Sequence, residues 1–436
     1  MPLFRPARTR IFDRSEAHLR RAESTIPLGS QTFSKSRTQY PIGISPLYIE
    51  KAKGPYVWDL DGNKYIDLVN SLASVTLGYG DKQVNKAVRK QLKKGVSFSL
   101  PGMLEAEVAE LLVGMIPCAE KVRFGKNGTD ATSAAIRLSR AYTNKRIIAV
   151  CGYHGWQDWY IGSTTRNKGV PNEVSDLTKS FVFNDIESLK AIFNAHPNDV
   201  AAVILEPMNI SYPKPGFLED VRELASLNGA VLIFDETITG FRYAPGGAQE
   251  LLGVIPDLAT FGKGMANGFP LSAVVGKAKI MNEMEEIFFS GTFGGELLSL
   301  AAAKVVLTRI VSEEITQKLG DIGLTLKNQV DLLLRKYGLH EVLSLSGHDT
   351  WVFLNWNLQD EMLRAQAKTY FMQEMFQHGV LILGTHNVSL ALGASEIKKV
   401  VAAYDSVLNG LADALRDGNL STKIRVEPLK PLFKIR

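Results

Sequence analysis

The sequence predicts an α/β fold: a large domain built on a mainly parallel sheet flanked by helices, followed by a second, smaller α/β domain. Three observations lead there. The runs RIIAV (146–150), FVF (181–183), VAAVIL (200–205), AVLIF (230–234) and ATF (259–261) are short and continuously apolar, the pattern of strands buried on both faces. Helical patterns such as Leu218–Leu227 lie between them, and strand–helix–strand alternation builds a parallel sheet. Beyond residue 315 the chain turns to long amphipathic helices at 316–336, 360–378 and 395–415, around short strands near 341–356 and 379–391. The expected division is an N-terminal segment 1–69 shared with the small domain, a large domain 70–315 and a C-terminal small domain 316–436.

Each element has a local reason. Residues 1–24 read as a polar helix with Leu19, Ala22 and Ile26 facing inward. Residues 47–68 read as a β-meander around the turn signals Lys53-Gly54-Pro55 and Asp61-Gly62-Asn63. VRF (122–124) leads into a helix from Thr129 to Thr143, with Ala131, Ala135, Leu138 and Tyr142 on one face. The tail STKIRVEPLKPLFKIR is basic and irregular, an extension beyond the last helix.

Composition narrows the class. Of 436 residues, 45% are hydrophobic and 22% charged, as in an ordinary soluble domain. A net charge of +5 favours anionic ligands only mildly and does not point to nucleic acid. No apolar run is long enough to span a membrane. The start MPLFRPARTRIF lacks the apolar stretch of a secretory signal, and Asp13 and Glu16 argue against a transit peptide. Cys118 and Cys151 are far apart, which fits a reduced cytoplasmic protein, and no Cys/His cluster has metal-ligand spacing.

Ligands of an open parallel sheet collect outside the carboxyl ends of its strands. Here VRF is followed by GKNGTDAT, RIIAV by CGYHGW, VAAVIL by EPMN, AVLIF by DETITGFR and ATF by GKGMANG. GKNGTDAT runs a glycine turn into a helix, which suits a phosphate at Gly128 and Thr129 or simply a helix cap at Thr129. Asp235 ends a very apolar strand, where a carboxyl is raised in pKa unless it meets a cation: Arg242 or another basic residue in a salt bridge, or the protonated ring nitrogen of a bound heterocycle. Tyr153, His154 and Trp156 lie beside two glycines; a stacking aromatic and an ordinary core aromatic both fit, and His154 reads as structural. Lys263 stands between glycines in DLATFGKGMANGFP (257–270). It either reaches water or has its charge tuned for chemistry. A phosphate cradle, an acid, a flat aromatic and a lysine at successive strand ends together describe pyridoxal 5′-phosphate.

The motifs are also recognisable together. IPLGS (26–30), YVWDLDGNKYIDL (56–68), VRFGKNGTDATSAAIRLSRAYT (122–143), YHGW (153–156), ILEP (204–207), LIFDETITGFR (232–242), PDLATFGKGMANGFPLSAVVG (256–276) and GTFGGE (291–296) occur in this order. Over roughly residues 20–410 the chain resembles the class III, fold-type I PLP-dependent aminotransferases, and among them the glutamate-1-semialdehyde 2,1-aminomutase-like group. The resemblance implies a large PLP-binding domain on a mainly parallel seven-stranded sheet, a small α/β domain from both termini, and a homodimer with shared active sites. Lys263 matches the Schiff-base lysine and Asp235 the partner of the pyridinium nitrogen. Gly128 and Thr129 match the phosphate turn, Tyr153 the stacking aromatic, and Glu206 an acid on the ring-oxygen side. Thr237 stands where the family usually has Val, and Thr292 matches the threonine that reaches the other subunit's cofactor phosphate.

Some positions depart from the pattern. Glu296 stands where Asn is usual. Thr32 and Lys35 stand at the positions of the Ser and Arg that hold the aminomutase's substrate carboxylate, and His386 and Asn387 replace its Phe-Glu-Ala-Gly stretch. These departures turn the expectation toward an aminotransferase. Such an enzyme moves an amino group from a donor amine or amino acid to a carbonyl acceptor by a ping-pong mechanism, with cell-surface carbohydrate or specialised metabolism as the expected setting. The competing expectation is the aminomutase of tetrapyrrole synthesis. Trp156, Trp159, Lys35 and His386 are the expected pocket-lining residues, and no metal, nucleic acid or membrane partner is expected.

Overall fold

The computed structural model describes residues 10–429. The expectations for residues 1–9 of the first helix and 430–436 of the tail lie outside them. The chain divides into two compact units: Ala73–Thr76 with Lys82–Lys318, and the residues up to Leu72 with Leu77–Asp81 and those from Leu319 onward.

The first unit is built on a seven-stranded sheet. Its strands are β1 (Lys121–Gly125), β2 (Ile147–Cys151), β3 (Thr178–Ser180), β4 (Val200–Leu205), β5 (Val231–Asp235), β6 (Leu258–Phe261) and β7 (Ser272–Gly276). The spatial order is β1-β7-β6-β5-β4-β2-β3. β2 through β6 pair in parallel, and β7 alone runs antiparallel, between β6 and β1.

The continuous apolar runs follow from burial on both faces. Along β2, Ile148 and Val150 pack with Ala131, Ala135 and Leu138 of the helix Gly128–Thr143. Ile147 and Ala149 join the opposite cluster with Leu189, Val221 and Ala225. Each fully buried Leu, Ile or Val contributes about 1.5–3 kcal/mol relative to exposure, so every position of these strands must be apolar.

Three expectations are corrected. FVF follows a strand rather than forming one: β3 is Thr178–Ser180, paired with β2, and it ends where Phe181 begins. Tyr142 is 39% exposed and does not join Ala131, Ala135 and Leu138 in the core. Ile26 lies beyond the helix Asp13–Glu23, which buries the expected Leu19 and Ala22 together with Ser15. The sequence reading also passed over β7 and the helices Lys82–Leu92, Met103–Met115 and Leu297–Ser312.

The second unit holds a sheet of Ile49–Lys53, Tyr56–Asp59 and Lys64–Asp67, antiparallel as a meander, with Val380–Leu381 parallel to the last. A three-stranded sheet of Leu343–His348, Trp351–Trp356 and Thr385–Asn387 accompanies it. The helices Glu361–Gln377 and Ala394–Arg416 cover this unit's core, burying Phe371, Phe376, Tyr404 and Leu408.

Candidate active site

Register brings the candidate residues to one edge. Cys151 pairs with Leu205, Leu205 with Phe234, and Asp235 with Thr260. The next residues of neighbouring strands, Gly152, Glu206 and Asp235, therefore form a row at the carboxyl end of the sheet. Side chains alternate along a strand. Asp235 thus projects on the same face as Ile233, the face covered by the helix that begins at Gly128.

Asp235 is 5% exposed. Its Oδ2 meets His154 Nδ1 at 2.9 Å. Its Oδ1 accepts the Thr237 hydroxyl at 2.6 Å, the Thr237 N–H at 3.1 Å and the Thr260 hydroxyl at 3.0 Å. Burial alone pushes this carboxyl up, but His154 and the Thr237 hydroxyl and N–H hold it below its ordinary value. It is therefore a carboxylate at neutral pH. His154, 2% exposed, also places Nε2 at 3.1 Å from the Cys151 carbonyl. Both ring nitrogens of His154 face acceptors, and the basic side chain beside Asp235 is thus His154. The buried Arg242 instead donates to the Ala73 carbonyl at 3.4 Å, and burial pushes its guanidinium down to about 10.

Trp159 stacks near the His154 ring, with centroids 6.4 Å apart, and donates from Nε1 to Ser133 Oγ at 3.0 Å. It is 9% exposed and belongs to the core, so the expectation that it lines a pocket is corrected. Tyr153 is 39% exposed, and its ring meets Tyr160 edge-on at 5.6 Å. Its N–H donates to Glu206 Oε2 at 3.1 Å, and Asn209 Nδ2 donates to the same oxygen at 2.8 Å. Gly152 has φ +106°, and a Cβ there would lie 2.5 Å from Glu206 Oε2. The approach of these two strand ends requires glycine.

The turn before the helix Gly128–Thr143 is fixed by Asp130, whose Oδ2 accepts the N–H groups of Lys126 at 2.9 Å and Asn127 at 2.8 Å. A Cβ on Gly128 would lie 3.0 Å from the Thr237 methyl, and one on Gly262 3.4 Å from the same methyl. Thr237 therefore sits between this turn and the loop of Lys263. Its hydroxyl is committed to Asp235, so its methyl faces both glycines, as a valine's would. Thr129 Oγ1 is buried without a hydrogen-bond partner.

Lys263 opens the short 3-10 turn Lys263–Ala266 just after β6, half-buried, with φ +37°. Gly262, Gly264, Met265 and Ala266 around it are buried. A left-handed φ on a non-glycine residue is strained and recurs at functional sites. Thr76 Oγ1 donates to the Gly264 carbonyl at 3.4 Å, and a Cβ on Gly264 would meet that hydroxyl at 2.6 Å. Thr292 is exposed on a segment that, with Gly125, Lys126 and Asp130, lines a cavity of about 410 Å3.

In the second unit, His386 is 0% exposed and its Nε2 meets the Tyr404 hydroxyl at 2.6 Å. It belongs to that unit's core, which corrects its placement in a pocket. Asn387 donates to the Val69 carbonyl at 2.7 Å. Lys35, exposed, reaches Ser71 Oγ at 3.4 Å, and Thr32 is exposed as well. Trp156 is 65% exposed. Sequence reasoning missed two residues: His154 as the partner of Asp235, and Thr260. The available signal was position: His154 follows β2 in the same segment as Tyr153, and Thr260 stands in β6 three residues before Lys263.

A buried, donor-backed carboxylate, a glycine turn at a helix start and a half-buried lysine thus stand at the ends of three strands of one mainly parallel sheet. A family model described as aminotransferase class-III matches residues 40–407. The 3-aminobutyryl-CoA aminotransferase of Cloacimonas acidaminovorans (strain Evry) is 34% identical over 382 residues, 86% of this chain and 91% of that protein. The glutamate-1-semialdehyde 2,1-aminomutase of Alkaliphilus oremlandii (strain OhILAs) is 40% identical over 334 residues, 71% and 78% of the two chains. Among solved structures, the FumI protein of Sphingopyxis sp. MTA144, in its PLP internal aldimine form, is similar at a TM-score of 0.86 with 27% identity, covering 95% of this chain and 99% of that one. An omega-transaminase from Sphaerobacter thermophilus is similar at 0.83 with 28% identity, covering 91% and 97%.

The chain belongs to the class III aminotransferases. It is a PLP-dependent transaminase. Its residues fit that cofactor. The unpartnered Thr129 hydroxyl at the glycine turn suits a phosphate, and the Asp235 carboxylate suits a protonated ring nitrogen.

Proposed function

We propose that Lys263 anchors the cofactor aldehyde and that Asp235 pairs with its ring nitrogen. In this reading Gly128 and Thr129 take the phosphate, Tyr153 stacks on the ring, Thr237 packs against the other face, and Glu206 stands near the ring oxygen. The observation that carries the reading is the Asp235 carboxylate, buried and held ionised by His154, Thr237 and Thr260.

When bound, the cofactor supplies an electron sink for the carbanion formed at the substrate carbon. Asp235 would hold a proton on the ring nitrogen, and His154 fixes the orientation of Asp235 through its hydrogen bond to Oδ2. With its amine free, Lys263 would act as base toward the proton on the donor's amine-bearing carbon and, as acid, would deliver that proton to the carbon that came from the cofactor aldehyde. The buried residues on either side of Lys263 restrict water around that proton transfer.

The donor is an amine or amino acid and the acceptor a carbonyl compound, used in two half-reactions. The 3-aminobutyryl-CoA and omega-transaminase relatives support a substrate whose amino group is not α to a carboxylate. We propose a cytoplasmic homodimer in which Thr292 reaches the partner's cofactor phosphate. The exposed Phe288, Phe293 and Trp156 support a covered face there.

Absorbance-monitored half-reactions with a panel of β-amino acids, terminal amines and α-amino acids test the reading. The expected result is conversion by a donor alone, reversed by a keto acid or aldehyde. Isomerisation of a single amino-aldehyde with no second substrate would contradict it in favour of the aminomutase.

A further inference from the structure

The turn that opens the helix Gly128–Thr143 has a second anchor outside the assigned residues. Lys126 immediately precedes Asn127, Gly128 and Thr129. Its ammonium lies 3.0 Å from Glu296 Oε2, with Ser299 Oγ 3.4 Å away. The two side chains are 19% and 13% exposed. Glu296 is also the cap of the helix Leu297–Ser312. Its Oε1 accepts the Leu298 N–H at 2.6 Å, and its Oε2 accepts the Ser299 N–H at 3.2 Å and the Ser299 hydroxyl at 2.7 Å. Burial pushes this carboxyl up, but Ser299, Lys126 and the helix N–H groups hold it below its ordinary value.

A largely buried ion pair persists only when further hydrogen bonds satisfy both partners. This one meets that condition on the Glu296 side through the helix cap. On the Lys126 side the backbone is fixed as well, through the Asp130 carboxylate. Two more cations hold the same segment. Arg137 Nη1 donates to the Phe288 carbonyl at 2.9 Å, and Arg123 Nη2 to the Phe289 carbonyl at 3.2 Å. The segment 288–296 is thus tied at both ends to the strand, turn and helix of residues 121–143, and both walls face the same cavity.

We infer that Lys126 and Glu296 are a positioning pair: their contact sets the turn Asn127–Thr129 against the segment 288–296 and thereby tunes affinity for the phosphate end of the cofactor. The inference rests on the assignment of the phosphate to this turn. The pair does not touch the reacting atoms. It acts by keeping the turn's N–H groups aimed in one direction. Removing either partner leaves the other charge half-buried and lets the turn or the helix start relax.

Apo-protein titrated separately with pyridoxal 5′-phosphate and with pyridoxal, which lacks the phosphate, tests this. Lys126→Met and Glu296→Gln are each expected to weaken pyridoxal phosphate binding on the order of ten-fold, the double variant to be no worse than either single one, and Glu296→Asp to recover most of the loss. Pyridoxal affinity is expected to stay within about two-fold of wild type throughout, which a folding defect would not allow. Unchanged phosphate-ester binding, tighter binding in Glu296→Gln, full additivity, or equal loss for both ligands overturns the pair. Thr129→Val separates the two readings. If it weakens the phosphate ester and the pair variants do not, the inference alone fails. If it has no effect, the turn assignment fails and the pair with it.

Discussion

His154 Nδ1 lies 2.9 Å from Asp235 Oδ2, and the imidazole's other nitrogen lies 3.1 Å from the Cys151 carbonyl. The end of β2 thereby orients a carboxylate at the end of β5, two strands away in the sheet. His154→Phe leaves Oδ2 without its donor in a buried place, which costs about 1–3 kcal/mol. The expected result is a lower midpoint in urea and a kcat reduced more than KM is changed, with His154→Gln between the two. A wild-type pH–rate profile in His154→Phe would contradict the orienting role.

Asp235→Asn keeps the shape of the site and removes the charge. The cofactor is expected to remain bound, while kcat falls on the order of 10²-fold or more, as for a preorganised group aimed at developing charge. Steady-state kinetics with the best donor, alongside cofactor content, checks this.

Thr237→Val is expected to be mild. The methyl contacts to Gly128 and Gly262 survive, and only the hydroxyl's bond to Asp235 Oδ1 is lost. One such bond to a charged group is worth about 1.5–3 kcal/mol at most, and Thr260 and the Thr237 N–H still serve the same oxygen. The measurable effect is a modest rise in the low-pH limb of the pH–rate profile.

Gly155→Ala tests the close approach beside Thr129. Gly155 has φ +110°, and an added Cβ would lie 2.4 Å from Thr129 Oγ1. Strain and collision act together, so cofactor retention during gel filtration is expected to drop sharply. Gly169→Ala has a similarly left-handed φ but nothing within 4 Å of the new Cβ, and serves as the control for strain alone.

His386 makes a pH prediction for the second unit. Burial pushes it down to about 4 from an ordinary 6.5. The native state keeps it neutral where the unfolded chain binds a proton. Its contribution is complete above pH 6.5 and is lost as the pH falls toward 4, amounting to about 3 kcal/mol over that window. Urea midpoints at pH 7 and pH 5 are expected to differ less in His386→Asn than in wild type.

Most of the sheet was legible because a strand buried on both faces leaves an unbroken apolar run, as in Val200–Leu205 and Val231–Asp235. The site candidates were legible because the residues after those runs are polar or glycine. Pairing register was not. Nothing in the sequence says that Asp235 meets Thr260 or that the ring of His154 turns toward Asp235, because both contacts follow from strand order. β7 was missed although its apolar stretch Ala273–Val275 is as long as ATF; it lies close after β6 with no helical pattern between them, outside the strand–helix alternation that guided the reading. FVF misled because Phe181 is buried just beyond the end of β3. His386 misled because it stands at the position of the family's Phe-Glu-Ala-Gly stretch, which suggested a pocket, whereas the Tyr404 hydroxyl partners it in the core.

The central claim is that the amine of Lys263 carries the cofactor. Reduction of the cofactor-loaded enzyme with borohydride, followed by peptide mapping, measures this directly. A single phosphopyridoxyl label is expected on Lys263, and none in Lys263→Ala. Label on another lysine, or a loaded enzyme that yields no label, would contradict it.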